Sequence, residues 1–434
     1  MGAWGRAASA TLIYTGRGSV SGAVRILFLC QYFPPEMGAP AARTHEHARK
    51  WAELGHEVTV VCGLPNHPDG IIPEKYRGTL LYREQIDGVN VLRCWLYATP
   101  NRGVFKRSIA FMSFMLSAMF FGSFFAPKCD VVIATSPQML CGFAGYFVAR
   151  MKRRPFVLEV RDLWPKQIID LGAVRSRLII GLLEWVEMFM YRKAAAIVTV
   201  APASTEEIAS RGIPREKIHT VTNGINEDFF RPMERHAWPR ENYHWGNKTV
   251  VMYIGTHGLS QGLLTILETA HMLAQRDDIH FVFAGTGAER EMLIARAKEM
   301  GLPNVEFLPM QKKDDMPAFY AAADICLVPL KKRDYFLYNI PSKMFEIMAC
   351  ARPTILGAHG QARQLLFEAG AGLAVEPEDP AAYRDAILQL AESPTLRAEL
   401  GANGRNHVIA HFSRSLKARD LLACLEQATA TQRG

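Results

Sequence analysis

Tyr338-Asn339-Ile340-Pro341-Ser342-Lys343-Met344-Phe345-Glu346-Ile347-Met348-Ala349-Cys350-Ala351-Arg352-Pro353 is the stretch whose reading decides this chain. It predicts a helix that runs into small residues and an Arg-Pro, after which a strand, Thr354 to Leu356, begins. Lys343 and Glu346 stand three residues apart, so both project from one face near the helix N-terminus. That end offers unpaired backbone N–H groups and the positive end of the helix dipole, a natural seat for a diphosphate. Ser342 opens the turn, and the Glu346 carboxylate can hold sugar or ribose hydroxyls. The plainer alternative is an amphipathic helix carrying a surface salt bridge.

Outward from this helix, apolar β-type runs alternate with helical segments. Val24–Cys30, Val58–Cys62, Val89–Leu96, Val131–Thr135, Phe156–Val160 and Ile197–Val200 read as one series of strands. Thr249–Ile254, His280–Ala284, Val305–Leu308, Ile325–Val328 and Thr354–Leu356 read as a second. Helices between strands imply parallel sheets covered on both faces. The polar, Pro-containing stretch 225–247 reads as a linker. The expected organisation is an extension over 1–23, an N-terminal α/β domain over 24–224, the linker, and a second α/β domain over 248–410. A closing helix within 411–434 is expected to cross back to the first domain. Two doubly wound domains face each other across a cleft at the carboxyl ends of their strands, where such sheets bind ligands.

The 434 residues exceed what one core usually fills, and an apolar content of 49% is that of a globular protein. Eight cysteines are scattered with no Cys-x-x-Cys pair. Several lie in apolar runs, so they read as buried thiols in a reducing cytosol rather than metal ligands or disulfides. Residues 1–23 lack the basic start and apolar centre of a signal peptide and read as a disordered extension.

Four further loops follow predicted strands. Pro34-Pro35-Glu36-Met37-Gly38-Ala39-Pro40 places Gly38 where backbone can approach a ligand, ahead of a helix aimed at the cleft. Glu159-Val160-Arg161-Asp162-Leu163-Trp164-Pro165 puts an Arg-Asp pair at a strand's carboxyl end. Asp162 could orient an acceptor hydroxyl and Arg161 hold phosphate, or the two could form a structural ion pair. Gly255-Thr256-His257-Gly258-Leu259-Ser260-Gln261-Gly262 and Gly285-Thr286-Gly287 are glycine turns of the same kind.

The helix from Ser342, the glycine loops and the two-series organisation resemble family 4 glycosyltransferases, whose fold is GT-B. The resemblance covers nearly everything after residue 24. It implies donor binding at Gly38, Gly255, Gly258, Gln261, Gly285, Ser342, Lys343 and Glu346, with Arg161, Asp162 and Glu346 as the catalytic group. Four positions depart from the family. Arg161 stands where many relatives carry a sugar-contacting histidine. Thr256 and Gln261 replace an arginine and a lysine that neutralise the departing diphosphate, and Tyr338 replaces the first glutamate of a Glu-(seven residues)-Glu pattern whose second is Glu346. These departures, with Leu64-Pro65-Asn66-His67-Pro68-Asp69-Gly70, are similar to a subgroup that handles acetamido sugars in bacterial polysaccharide assembly. Asn66 and His67 are then expected on the acceptor side.

The implied reaction replaces a nucleoside diphosphate, a UDP-sugar being expected, with an acceptor hydroxyl through an oxocarbenium-like state. Its main demand is stabilising the leaving group's growing charge. No Asp-x-Asp or other metal-ligand cluster stands in the sequence, so no cofactor or metal is expected, and the resemblance implies retention of anomeric configuration. Two other functions stay open: a sugar-nucleotide 2-epimerase-like isomerase, since such enzymes share the fold, and a non-catalytic sugar-nucleotide-binding subunit.

Charge bears on location. Between Pro100 and Pro155 stand Arg102, Lys106, Arg107, Lys128, Arg150, Lys152, Arg153 and Arg154 against the single acid Asp130, nearly the whole formal net charge of +8. Within this window Ile109–Ala126 is uncharged and rich in Phe and Met; as a helix it reaches about 27 Å, short of a bilayer core. The strands before and after it belong to one parallel sheet, so the crossover must return to the same side. An interfacial helix on an anionic inner leaflet is expected, with Lys106, Arg107, Arg153 and Arg154 as basic flanks, against an ordinary buried crossover helix. The protein is thus expected to be cytoplasmic and peripheral on the membrane, its acceptor a polyprenyl-linked saccharide. No stacking or groove-reading motif accompanies the basic residues, so nucleic acid is not an expected partner.

Overall fold

The computed structural model describes residues 22–36, 39–67, 70–99, 104–136, 139–161, 163, 176–333, 336–337 and 340–433. Gly38, Asp162, Tyr338 and nearly all of the expected extension lie outside them. The first series of elements is β1 (Arg25–Leu29), α1 (Ala39–Glu53), β2 (Glu57–Gly63), β3 (Leu81–Ile86), β4 (Val89–Cys94), α2 (Val104–Phe124), β5 (Val131–Thr135), α3 (Met139–Lys152), β6 (Phe156–Val160), α4 (Arg177–Lys193), β7 (Ala196–Thr199), α5 (Pro202–Ser210) and β8 (Ile218–Thr220). They build an eight-stranded sheet of order β3-β4-β2-β1-β5-β6-β7-β8. All neighbours pair in parallel except β3, which returns antiparallel on β4.

The second series is α6 (Trp238–Asn242), β9 (Thr249–Ile254), α7 (Leu263–Met272), β10 (Ile279–Ala284), α8 (Arg290–Glu299), β11 (Val305–Leu308), α9 (Met316–Ala322), β12 (Ile325–Pro329), α10 (Ser342–Ala349), β13 (Thr354–Gly357), α11 (Gln361–Ala369), β14 (Gly372–Val375), α12 (Pro380–Glu392), α13 (Pro394–Phe412) and α14 (Arg414–Arg433). Its six-stranded parallel sheet has the order β11-β10-β9-β12-β13-β14.

The strands are apolar on both faces because both faces are covered. Leu27 and Leu29 of β1 point into one core with Val132 and Ala134, while Ile26 and Phe28 point into the other with Val131 and Ile133. In β9, Val250, Met252 and Ile254 alternate with Val251 and Tyr253 in the same way. Strand order reverses between β1 and β5 and again between β9 and β12. These two switch points open the crevices where ligands bind in such sheets.

Residues 225–247, expected as a linker, pack into the second domain. Phe230 and Trp245 join its core, and Arg235 and Arg240 both bond the buried Asp324, which also accepts from Val250 N–H at 2.9 Å. The chain passes between the domains twice, side by side. Ile225 N–H donates to Phe412 O at 2.8 Å and Arg414 N–H to Ile225 O at 2.9 Å. Arg414 also bonds Gly224 O at 3.0 Å and pairs with Glu46 on α1. The closing helix α14 then lies against α1 and the first sheet: Ala418, Leu421, Leu422 and Leu425 are buried in that core, and Trp51 Nε1 donates to Ala418 O at 2.8 Å. All eight cysteines are free and buried, which pushes their thiols up, Cys62 to about 12.

Candidate donor site

The second switch point is built from two glycine turns. Gly255 follows β9 with φ 146 and Gly285 follows β10 with φ 148. The turns interlock, since Gly255 N–H donates to Ala284 O and His257 N–H to Thr286 O, both at 2.9 Å. A Cβ on Gly285 would lie 1.9 Å from Gly255 O, so sterics as well as φ demand glycine there. His257 is wholly buried beside Tyr253, Phe283 and Phe307. Desolvation, with Arg290 and Lys343 nearby, lowers its pKa to about 4 and keeps it neutral.

Across the crevice, α10 begins after Pro341 with no side-chain cap on its first turn. Its first-turn N–H groups are therefore not taken up by a capping side chain. Lys343 Nζ lies 4.1 Å from the centre of the Tyr253 ring, a cation–π contact. A Cβ on Gly255 would stand 2.6 Å from that ammonium, so the bare glycine makes its place. Desolvation pulls the Lys343 pKa down to about 8 against the opposing pull of Glu346. Glu346 accepts from Tyr320 Oη at 2.8 Å. Burial raises its pKa, opposed by that bond and by Lys343, Arg414 and Lys313. No ion pair joins Lys343 to Glu346, so the surface salt bridge of the plainer alternative is not how the helix uses them. Each is a desolvated charge with spare capacity, an arrangement typical of functional sites.

The far end of the glycine loop carries a second lysine. Lys331, just beyond β12, donates its N–H to Ser260 O at 2.9 Å, and its Cγ lies 3.2 Å from where a Cβ on Gly262 would be. The loop between Gly255 and Gly262 has no cation of its own, yet Lys343 and Lys331 lie against its two ends. Gln261 closes the turn on Gly258, donating its N–H to Gly258 O at 3.2 Å. Ser342 is exposed at the helix start.

In the first domain, Glu36 accepts the N–H groups of Asn66 and His67, both at 2.9 Å, and Tyr32 meets His67 with ring centres 5.2 Å apart. The loops after β1 and β2 are thereby fastened together at the cleft end. Burial raises the Glu36 pKa against these bonds. Arg161, half-buried at the end of β6, donates its N–H to Ser136 Oγ at 2.7 Å. Beneath it Glu159 is fully buried and accepts from Arg43 Nε at 3.0 Å. Arg43 also bonds Val221 O and Thr222 O, each at 3.1 Å, just before the chain leaves the domain.

The four expected basic flanks do not form one cluster. Lys106 and Arg107 stand at the start of α2, and Arg107 acts on the Tyr32 phenol near the cleft. Arg153 and Arg154 follow α3 at the opposite pole, where Lys152 Nζ donates to Ala126 O at 2.9 Å. The 21 residues of α2 separate the two poles by about 31 Å.

Two family models match the chain: the Glycosyl transferase 4-like domain over residues 38–224 and Glycosyl transferases group 1 over residues 234–407. The chain is similar to WcaI of Escherichia coli strain K12, whose name assigns it to colanic acid biosynthesis as a glycosyl transferase. The two are 26% identical over 379 residues, 84% of this chain and 92% of WcaI. Sucrose-phosphate synthase from Thermosynechococcus elongatus superposes with a TM-score of 0.68 at 19% identity, covering 94% of this chain and 100% of that one. Anabaena Alr3699/HepE in complex with UDP and glucose superposes with a TM-score of 0.64 at 16% identity, covering 93% and 99%. With both domains matched in order and the whole fold shared with these two-domain proteins, the chain belongs to the family 4 glycosyltransferases of GT-B fold and is a glycosyltransferase.

Proposed function

We propose that the protein moves a sugar, with retention at the anomeric carbon, from a UDP-type donor to a polyprenyl-linked saccharide during bacterial surface-polysaccharide assembly. The observation that carries this reading is Lys343, a desolvated ammonium that forms no ion pair among the described residues, held at the switch point beside the uncapped start of α10. A leaving diphosphate is the anion that such a site suits, because its charge grows as the glycosidic bond breaks. Lys331 offers a second cation at the other end of the loop. In this reading Glu346 holds sugar hydroxyls, Arg161 and Asp162 face the acceptor, and the leaving phosphate takes the acceptor's proton, so no metal is needed. An acetamido sugar is expected from the resemblance to the polysaccharide subgroup. The named role of WcaI and the UDP held by Alr3699/HepE support the pathway class and the donor.

The same reading places the enzyme on the cytoplasmic face of the membrane. Lys106–Phe124 is long and apolar enough to cross a bilayer by length and composition. It joins β4 to β5, which both run parallel to β1 through one sheet, so the helix returns the chain to that sheet. Its outward residues Met112, Leu116, Phe120 and Phe124 form a stripe suited to lying in an interface.

The test is turnover of UDP-sugars with and without a lipid-linked acceptor, read by mass spectrometry. A glycosylated lipid supports the proposal; epimerised donor, or binding without turnover, sinks it. Activity abolished by EDTA would remove the metal-free step. Tyr320→Phe should lower kcat/KM a few-fold, roughly 0.5–1.5 kcal/mol for one hydrogen bond. Its acid limb should move to higher pH, because the Glu346 carboxylate loses a donor that favours its charged form.

A further inference from the structure

The helices α2, α3 and α4 cover one face of the first sheet, with α3 in the middle, in contact with both others. The sequence reading drew attention to α2 alone, yet α4 also leaves large apolar side chains uncovered. Leu178 is 88% exposed, Leu182 61% and Trp185 61%. Spacings of four and three residues put them on one stripe. Phe189 continues it, stacked on Trp185 at 5.7 Å, and Tyr146 of α3 meets Phe189 edge-on at 5.2 Å. The opposite side of α4 is committed to the fold. Met190 and Tyr191 are buried in the core, and Glu187 pairs with Arg211 at 2.7 Å and accepts from Tyr191 Oη at 2.8 Å. Beyond Phe189, the stripe of Leu178, Leu182 and Trp185 is left mostly exposed among the described residues.

Cations mark both ends of this layer. Exposed Lys106, Arg107 and Arg177 stand at the cleft pole. At the other pole Arg150, Arg154 and Lys193 line one shallow pocket with Tyr146 and Phe156. Two apolar ridges bounded by positive charge match a surface that is apolar below and anionic at its rim. A second copy of this chain would bring the same positive poles face to face, an unfavourable pairing.

We propose that α4 is a second membrane-docking helix, its Leu178–Leu182–Trp185 stripe seating beside that of α2 on an anionic bilayer. The inference rests on the peripheral-membrane reading above and adds the element that turns one line of contact into a plane. Three points off one line fix an orientation: with α2 and α4 both engaged, rotation about the α2 axis is blocked and the cleft is held at one height and tilt.

The test uses the full chain and vesicles of phosphatidylcholine with and without phosphatidylglycerol. One variant carries Leu178→Ser, Leu182→Ser and Trp185→Ser; a second carries Leu116→Ser, Phe120→Ser and Phe124→Ser. All six side chains point outward, so circular dichroism should report an unchanged fold. Each variant is expected to lose about tenfold or more in affinity for anionic vesicles. Turnover on a water-soluble acceptor should stay unchanged. Brominated acyl chains should quench part of the wild-type fluorescence, and Trp185→Phe should remove that part. Wild-type binding by the α4 variant, with binding lost in the α2 variant, would overturn the role of α4 and leave the peripheral reading standing. Binding unaffected in both would remove both. A lipid-free dimer that falls apart in the α4 variant would make the stripe an interface between copies and also overturn the proposal.

Discussion

Lys343→Ala should lower kcat/KM for the nucleotide sugar by about ten- to a hundredfold without unfolding the protein. The loss of one charge-assisted bond to a diphosphate is worth roughly 1.5–3 kcal/mol, and each 1.4 kcal/mol is about tenfold. The pH profile adds a sharper test. The Lys343 pKa is depressed to about 8 by desolvation, so free enzyme loses this cation as pH rises through 8 and kcat/KM should fall on that limb. Lys343→Arg should keep some activity and carry the limb to higher pH, because guanidinium stays protonated. Stability should move the other way. Between pH 8 and the ordinary lysine range the unfolded chain holds a proton that the folded chain has shed, so this group's destabilisation shrinks as pH rises. Lys343→Met should accordingly raise Tm at pH 7 while lowering turnover. Unchanged kcat/KM in a folded variant would remove Lys343 from the site.

Glu159→Ala should cost about 3–5 kcal/mol in urea unfolding, because it leaves Arg43 buried with an uncompensated charge. Burial alone would raise the Glu159 pKa, but Arg43, Arg161 and His47 outweigh it and bring it to about 2. Its contribution is therefore present above the unfolded carboxylate range and lost as pH falls from there towards 2. His47 adds to the same slope: desolvation lowers its pKa to about 3. Between the ordinary histidine range and pH 3, the unfolded chain takes up a proton that the folded chain refuses. Wild type should weaken steadily as pH drops through these windows, and Glu159→Ala should lose only the carboxylate part of the slope. Equal stability of wild type and variant at pH 7 would mean that the pair adds nothing to the fold. Asp324, held by two arginines and a backbone N–H, does the same work in the other domain.

The strands that sequence placed end for end, β5, β6, β9 and β11, are short apolar runs in parallel sheets. Burial on one face or both leaves such runs little polar interruption. The hairpin strand β3 escaped because Arg83, Glu84 and Gln85 break its apolar pattern, and its residues are half-exposed or exposed. Its signal was the turn: Asp87 and Gly88 both have positive φ, the two-residue form that joins such strands. Strand β8 has only three residues, and β14 (Gly-Leu-Ala-Val) includes glycine and alanine, which are weak strand formers. In the site, Lys343 and Glu346 were legible because their spacing is local to one helix. Their partners were not. Tyr253 and Tyr320 arrive from other strands and helices, and Lys331 reaches the glycine loop only because β12 lies beside β9. The basic residues show the opposite error: counted together in one window of sequence, Arg107 and Arg153 stand at opposite poles, one at the start of α2 and the other just after α3.

The helix α14 gives the chain an inverted order of completion. Leu421, Leu422 and Leu425 belong to the core of the domain whose first strand begins at Arg25, so that domain is sealed by residues that follow the whole of the second one in the chain. The second domain has all its strands and its core helices by Phe412 and can close while the first still lacks one layer. Synthesis usually proceeds with the N-terminal domain folding ahead; here that domain waits, with the apolar face meant for α14 open to water. Until then the face is a place for chaperones to hold, and a chain broken off before Arg414 never covers it.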